Sequence, residues 1–253
     1  MYFEIFILLL TGLFAGFLGG LLGIGGCVIM LPILYFTFNY PLPYAIGTTI
    51  TAVMITATSG TIAHVRIKNI DFKTARIVGI CGGIGAVIGS IIFWYIANMK
   101  WLLNLIIGIA FLYVSFRMIY EGLKRHVGKL ENIKEVPGSS HIKGLIGFLV
   151  GVVTGIVGLG GGYVLVPSFI YILNSPIKIA VGTSLASFIS MATVSSIFKI
   201  YQGFVSIVPA ICLGIGTAIG AQIGAKIVPK IPSWIIKLIF GIIFLYISIK
   251  FII

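Results

Sequence analysis

Acidic side chains are almost missing. Five Asp and Glu stand against 17 Lys and Arg in 253 residues, and none of the five, Glu4, Asp71, Glu121, Glu131 and Glu135, falls near the middle of an apolar run. Carboxylates inside a span are the usual proton relays and cation ligands, so a cation transporter or carboxylate-driven antiporter is disfavoured. Cysteine is scarce too. Cys27, Cys81 and Cys212 are odd in number and lack metal-ligand spacing, which excludes a disulfide framework or zinc site and leaves reduced core thiols. There is no Walker A sequence for direct use of ATP, no His/Glu metal cluster and no nucleophile elbow, so intramembrane hydrolysis lacks its parts. The sequence asks for no cofactor and no metal.

Charge of either sign makes up 9% of the chain, where a soluble domain carries about a quarter. With 59% hydrophobic residues and a mean hydropathy of +1.20, this is an integral membrane protein. The apolar stretches mostly run about 17 to 23 residues, the length of a membrane helix rather than of a barrel strand. The net charge of +12 sits in loops and flanking positions, as the positive-inside rule requires, and points to no nucleic acid. The opening Met-Tyr-Phe-Glu lacks a cationic region, and the first apolar run is expected to stay as a membrane helix.

The chain repeats itself at a shift of 135 residues. Gly12, Gly16 and Gly20 fall on Gly147, Gly151 and Gly155; Gly23, Gly25 and Gly26 fall on Gly158, Gly160 and Gly161. Pro32, Asn39, Pro41, Ala45, Gly47 and Thr48 fall on Pro167, Asn174, Pro176, Ala180, Gly182 and Thr183. After a two-residue deletion, Trp101, Gly108 and Phe111 match Trp234, Gly241 and Phe244. Each half holds five apolar pieces: 4–22, 27–38, 44–65, 75–97 and 101–120, then 142–157, 162–173, 178–199, 206–228 and 234–252. The second piece of each half is too short to cross and reads as a broken or re-entrant helix. The division is therefore repeat 1 over 1–120, a cytoplasmic linker over 121–141 and repeat 2 over 142–253.

Arg66, Lys68, Lys73 and Arg76 share one loop, which with the basic linker is expected to be cytoplasmic. An odd number of crossings per repeat brings Lys178, Lys226 and Lys230 to that side and leaves Lys100, Lys199 and Lys250 opposite. That count favours inverted repeats over parallel ones.

The chemistry is sought first at Gly23-Ile24-Gly25-Gly26-Cys27, repeated as Gly158-Leu159-Gly160-Gly161-Gly162. Glycines at this density break a helix, and a break inside lipid is tolerated only around a cavity or a site. The helix that resumes points its amide end inward, which suits an anion. The second signature, Ala45-Ile46-Gly47-Thr48-Thr49 and Ala180-Val181-Gly182-Thr183-Ser184, opens a hydroxyl-rich helix. Its hydroxyls suit capping and helix–helix hydrogen bonds as well as they suit a ligand. The remaining glycine rows read as packing seams, Cys27 as a small packing residue, and Asn104 and Gln222 as glue between helices. His64 and its repeat partner Lys199 stand near helix ends, where an interfacial position is expected.

At these residues the chain resembles the sulfite exporter TauE/SafE family of tandem-repeat membrane permeases, over 4–252. The resemblance rests on the glycine run into Gly23-Ile24-Gly25-Gly26-Cys27 with Pro32, on the Ala-Ile-Gly-Thr segment, and on both again at 151–167 and 180–183. It implies a multi-pass protein of a prokaryotic cytoplasmic membrane that moves sulfite or related sulfur-containing anions such as organosulfonates. Together these readings predict an all-α polytopic transmembrane bundle of two homologous repeats, with about 8 to 10 membrane segments and inverted repeats. The expected function is a secondary permease, with an anion channel or a permease for another small anion or metabolite as the alternatives. Substrate is expected on Gly25, Gly26, Cys27, Gly160, Gly161 and Gly162, with Thr48, Thr49, Thr183 and Ser184 donating hydroxyls. The partners are a small anion and the lipid bilayer. The coupling ion, H+ or Na+, and a homo-oligomer stay open.

Overall fold

A computed structural model describes residues 2–22, 25–124, 135–159, 161–227 and 233–253. Ten helices follow in order: α1 (Tyr2–Leu22), α2 (Cys27–Pro32), α3 (Leu42–Arg66), α4 (Phe72–Ile96), α5 (Lys100–Lys124), α6 (Ser140–Val157), α7 (Gly162–Pro167), α8 (Ile177–Tyr201), α9 (Ile207–Ile227) and α10 (Ser233–Ile252). The protein is an all-α polytopic membrane bundle, in which seven helices among the described residues are long and apolar enough to cross. Many large apolar side chains are exposed along the helices, Phe6, Ile80, Ile84 and Ile219 among them, as a surface facing lipid requires. Helix α5 runs on to Lys124, through the first positions assigned to the linker, and α6 begins at Ser140 within it.

The short helices α2 and α7 end alike. Pro32 and Pro167 are each followed by a turn of wider π-helix, Ile33–Thr37 and Ser168–Ile172. The next helical carbonyls are closed by Phe38 and Leu173, and the chain leaves the helix at Asn39 and Asn174, with φ of 53° and 52°. Asparagine is among the few non-glycine residues that accept that left-handed conformation.

Glycine seams fix the direction of each helix. Gly12, Gly16 and Gly20 of α1 abut the backbone of Leu213, Thr217 and Ala221, so α1 and α9 run parallel. Gly147, Gly151 and Gly155 of α6 abut Val78, Gly82 and Ala86 of α4, again in parallel. Helices α5 and α10 are antiparallel, tied by the Ser115 hydroxyl to Gly241 O (2.7 Å) and the Ser248 hydroxyl to Gly108 O (2.8 Å). At the centre α3 crosses α8 in the opposite sense: the Ser196 hydroxyl donates to Thr51 Oγ1 at 2.9 Å, and Gly60 lies on Leu185. It follows that α1, α3, α5 and α9 start at one end of the bundle and α4, α6, α8 and α10 at the other. The repeats are inverted. Arg66, Lys68, Lys73, Arg76, Lys143 and Lys178 gather at the second, basic end, opposite Lys100, Lys199 and Lys250.

The basic end is clasped by Asp71, the N-cap of α4. Its carboxylate accepts from the Lys73 and Thr74 amides, the Thr74 hydroxyl (2.6 Å) and the Val136 amide (3.0 Å). The buried Lys143 ammonium donates to Thr74 Oγ1 at 2.9 Å and to Val136 O at 2.6 Å. Burial opposes ionisation of Asp71, but the Thr74 hydroxyl, the Val136 and Thr74 amides and the Lys143 charge outweigh it and hold the carboxyl below the usual carboxylate range. A folded pKa below the unfolded one, near 3.9, means that the clasp stabilises fully above the unfolded value and is lost as pH falls through the folded one. Asp71→Asn removes the carboxylate that faces Lys143 across Thr74 and is expected to cost about 1–3 kcal/mol at pH 7, read as a lower melting temperature in detergent.

Candidate functional site

The two helix breaks are built from backbone that glycine accepts. Gly25 and Gly26 have φ of 73° and 75°, and Gly158, which ends α6, has φ of 65° and donates its N–H to Thr154 O at 2.9 Å. A Cβ on Gly26 would lie 2.5 Å from the Ala15 carbonyl oxygen, so no other residue fits. This packing shows the course of the chain: after α1 it turns back, and residue 26 lies beside residues 15 and 19 of the helix it has just left. Gly161 lies beside Val150 of α6 in the same way. Thus α2 and α7 are re-entrant. Each starts in the middle of the bundle and returns to the end from which its repeat entered. Tyr35 stacks on Phe251 at one end, and Arg117 lies over the Tyr171 ring at the other.

The breaks meet. The Cys27 Sγ contacts the Leu159 carbonyl across the repeats, and both residues are fully buried. Around this contact Val53 lies on Gly25, Ile46 on Gly158 and Phe188 on Gly161. Neither α2 nor α7 has a side-chain cap at its start. Gly25, Gly26, Cys27, Gly161 and Gly162 thus come to one place at the bundle centre; Gly160 lies outside the described residues, as do Gly23 and Ile24.

The hydroxyl signatures lie in the first turns of α3 and α8, toward opposite ends of the bundle, and carry structural bonds. Thr48 Oγ1 accepts the Ser206 amide and Thr183 Oγ1 accepts the Asp71 amide, both at 3.0 Å. Gly47 and Gly182 admit the carbonyls of Phe204 and Asn69 where a Cβ would collide. Each Gly-Thr pair therefore seats the loop before the fourth helix of the opposite half. Thr49 donates to Ala45 O at 2.5 Å and Ser184 to Val181 O at 2.8 Å, bonds that hold these hydroxyls against their own helix. Gln222 joins α9 to α3 through Ser59 Oγ at 3.3 Å.

Two residues depart from the expectation of an interfacial position. Lys199 is 0% exposed and His64 is 2% exposed. The Lys199 ammonium donates to Gly155 O at 2.8 Å and sits 3.4 Å from the centre of the Phe93 ring. His64 adjoins the backbone of Gly20, the repeat partner of Gly155, and its ring nitrogens have no hydrogen-bond partner among the described residues. Both therefore reach the carbonyl end of the interrupted helix, where the last four C=O groups lack intrahelical partners. The signal was in the sequence: one register of α3 and α8 carries a basic side chain in both copies.

At the end opposite the basic one, a cleft of about 650 Å³ opens among Tyr35, Asn39, Tyr44, Asn98, Lys100 and Phe204. Asn104 lines it, with a buried Oδ1 that has no partner among the described residues. The floor is aromatic. Phe204 packs edge-on against Tyr44, Phe93 and Trp94, with ring centres 5.7, 5.6 and 6.2 Å away.

A family described as "Sulfite exporter TauE/SafE" matches residues 8–251. The chain belongs to the TauE/SafE family. Among TauE/SafE relatives, "Probable membrane transporter protein YunE" of Bacillus subtilis is 28% identical over 226 residues, 82% of each chain. A protein of Methanocaldococcus jannaschii with the same description is 30% identical over 229 residues, 83% of this chain and 80% of its own. One from Xylella fastidiosa is 29% identical over 188 residues, 74% of this chain and 70% of its own. No solved structure matches. This TauE/SafE chain is accordingly a membrane transporter.

Proposed function

We propose that the protein is a secondary permease that moves small sulfur-containing anions, sulfite or an organosulfonate, across the cytoplasmic membrane of a prokaryote by alternating access of its two inverted repeats. The observation that carries this reading is the contact of the two breaks at the bundle centre, each contributing the uncapped amide end of a half-helix. Substrate binds there on the amides of residues 25–27 and 160–162, and the hydroxyls of Thr48, Thr49, Thr183 and Ser184 support it. Amide dipoles hold an anion without a permanent ion pair, which permits release. Cys27 and Leu159 touch, so passage requires the repeats to part at this point, and rocking of inverted repeats about a central site is the established way to do so. The described acidic residues, Glu4, Asp71, Glu121 and Glu135, lie at helix ends or in loops, which favours an anion over a cation. The basic end faces the cytoplasm by the positive-inside rule.

Purified protein in liposomes loaded with unlabelled sulfite is expected to accumulate labelled sulfite transiently, with saturation. Flux that rises linearly with concentration, without counterflow, would identify a channel. Competition by metal or organic cations but not by sulfite, methanesulfonate or taurine would sink the anion reading.

A further inference from the structure

We infer that Lys199 receives the transported anion at a first station, between the aromatic floor of the cleft and the second helix break, before the anion passes to the amides of the breaks. This inference rests on the reading of the protein as an anion permease. Lys199 lies in the spanning helix α8, fully buried, and no carboxylate among the described residues pairs with it. One carbonyl, Gly155 O, and one ring face, Phe93, are its partners. Burial of an ammonium without a counter-ion is costly, and a basic residue inside a span marks a substrate path when its partner is not part of the protein.

The surroundings point to where that partner arrives. Phe204 lines the cleft on one side and packs on the edge of Phe93 on the other, while the face of Phe93 carries the ammonium. The bonded carbonyl belongs to the last turn of α6, three residues before Gly158, where the break begins. From cleft to break the order is Phe204, Phe93, Lys199, Gly155. Two buried hydroxyls stand at this junction without a partner among the described residues, Thr154 beside Gly155 and Ser90 of α4, whose amide lies 2.7 Å from the Cβ position of Gly155. They supply donors to an oxyanion seated on the lysine. In the structure the Phe93 ring occupies the side of the ammonium that an anion would take, so Phe93 and Phe204 form the gate between cleft and charge.

A helix cap is the structural alternative, since a lysine can close the last carbonyls of a helix. Glutamine can also donate to Gly155 O, but it brings no charge. Sulfite binding to detergent-solubilised protein, measured by calorimetry, therefore separates the two. Lys199→Gln is expected to melt at or near the wild-type temperature yet weaken sulfite and methanesulfonate binding by about 10- to 100-fold, the scale of a charged hydrogen bond. Lys199→Arg is expected to stay within about fivefold of wild type, well under the 1.4 kcal/mol of a tenfold change. Lys250→Met, which removes an exposed cation at the same end, is expected to bind normally.

A second test needs no glutamine. Lys199→Cys treated with an aminoethyl methanethiosulfonate is expected to regain binding, whereas the neutral methyl reagent and the anionic sulfonatoethyl reagent are expected not to restore it. Wild-type affinity in Lys199→Gln, or equal rescue by the neutral reagent, would overturn the role of Lys199 and leave the permease reading standing. Failure of the wild type to bind or transport any of these anions would overturn both.

Discussion

Gly151→Leu is expected to prevent the protein from assembling. A Cβ at this position would fall on the backbone of Gly82, 2.7 Å from its carbonyl carbon and 2.8 Å from its Cα, so no rotamer relieves the collision. The parallel seam of α4 and α6 would have to open by the thickness of a side chain along its whole length. Helix association within lipid depends on such close backbone approach, because lipid tails remove the hydrophobic drive that pulls helices together in water. The loss should exceed about 3 kcal/mol, the upper end of the usual range for overpacking. The matching control is Gly83→Ala, where the nearest atom, Val194 Cγ2, is 3.9 Å away. Alanine there is expected to be neutral or stabilising by up to about 1 kcal/mol, since it removes the helix penalty of glycine. Size-exclusion profiles and melting curves of the two variants read the contrast directly. A monodisperse Gly151→Leu protein with a wild-type melt would mean that α4 and α6 do not lie against each other in this register.

Gly25→Ala is expected to do the reverse, leaving a folded protein that transports poorly. Its φ of 73° costs an alanine about 1–2 kcal/mol. Among the described residues the one atom in its way is flexible, Val53 Cγ1 at 3.1 Å. The chain should therefore insert and melt a few degrees below wild type. The first break, however, would relax toward a conformation that alanine prefers, and its amides would move. A shift of about 1 Å in groups that hold a substrate can cost on the order of 100-fold, so sulfite counterflow is expected to fall at least about tenfold. Gly203→Ala is the fair comparison. It bears a similar φ of 76° with nothing within 4 Å among the described residues, away from the centre, and should keep its flux. Loss of flux in both variants, or in neither, would separate transport from the conformation of the break.

Much of this architecture could be read before any coordinate, and the reason is local. Glycine and proline act on the backbone within a few residues, so the doubled breaks, the short helices after them and the exits at Asn39 and Asn174 are all written in the chain. Direction was harder. Only single lysines such as Lys178, Lys100 and Lys250 told one end from the other, and the inverted order became plain through the parallel seams, which join residues 69 and 201 positions apart. What could not be read was partnership over long range. Thr48 and Thr183 could be recognised as helix-starting hydroxyls, but their bonds to the amides of Ser206 and Asp71 depend on how the halves interlock. The burial of Lys199 is hidden for the same reason: a lysine near a helix end normally reaches water, and nothing nearby in sequence tells of Phe93 or Gly155. The position of His64 in the same register was the available warning.

The seams have a consequence for how such a protein could have arisen. Helix α1 leans on α9, α4 on α6, α5 on α10 and α3 on α8, so nearly every major surface of one copy is covered by the other. A gene encoding a single copy would make a chain with its glycine faces bare. It could be completed only by an identical chain threaded upside down through the same bilayer, and fusion of two such genes, with a basic connector to hold the second in place, would turn that chance pairing into a fixed one.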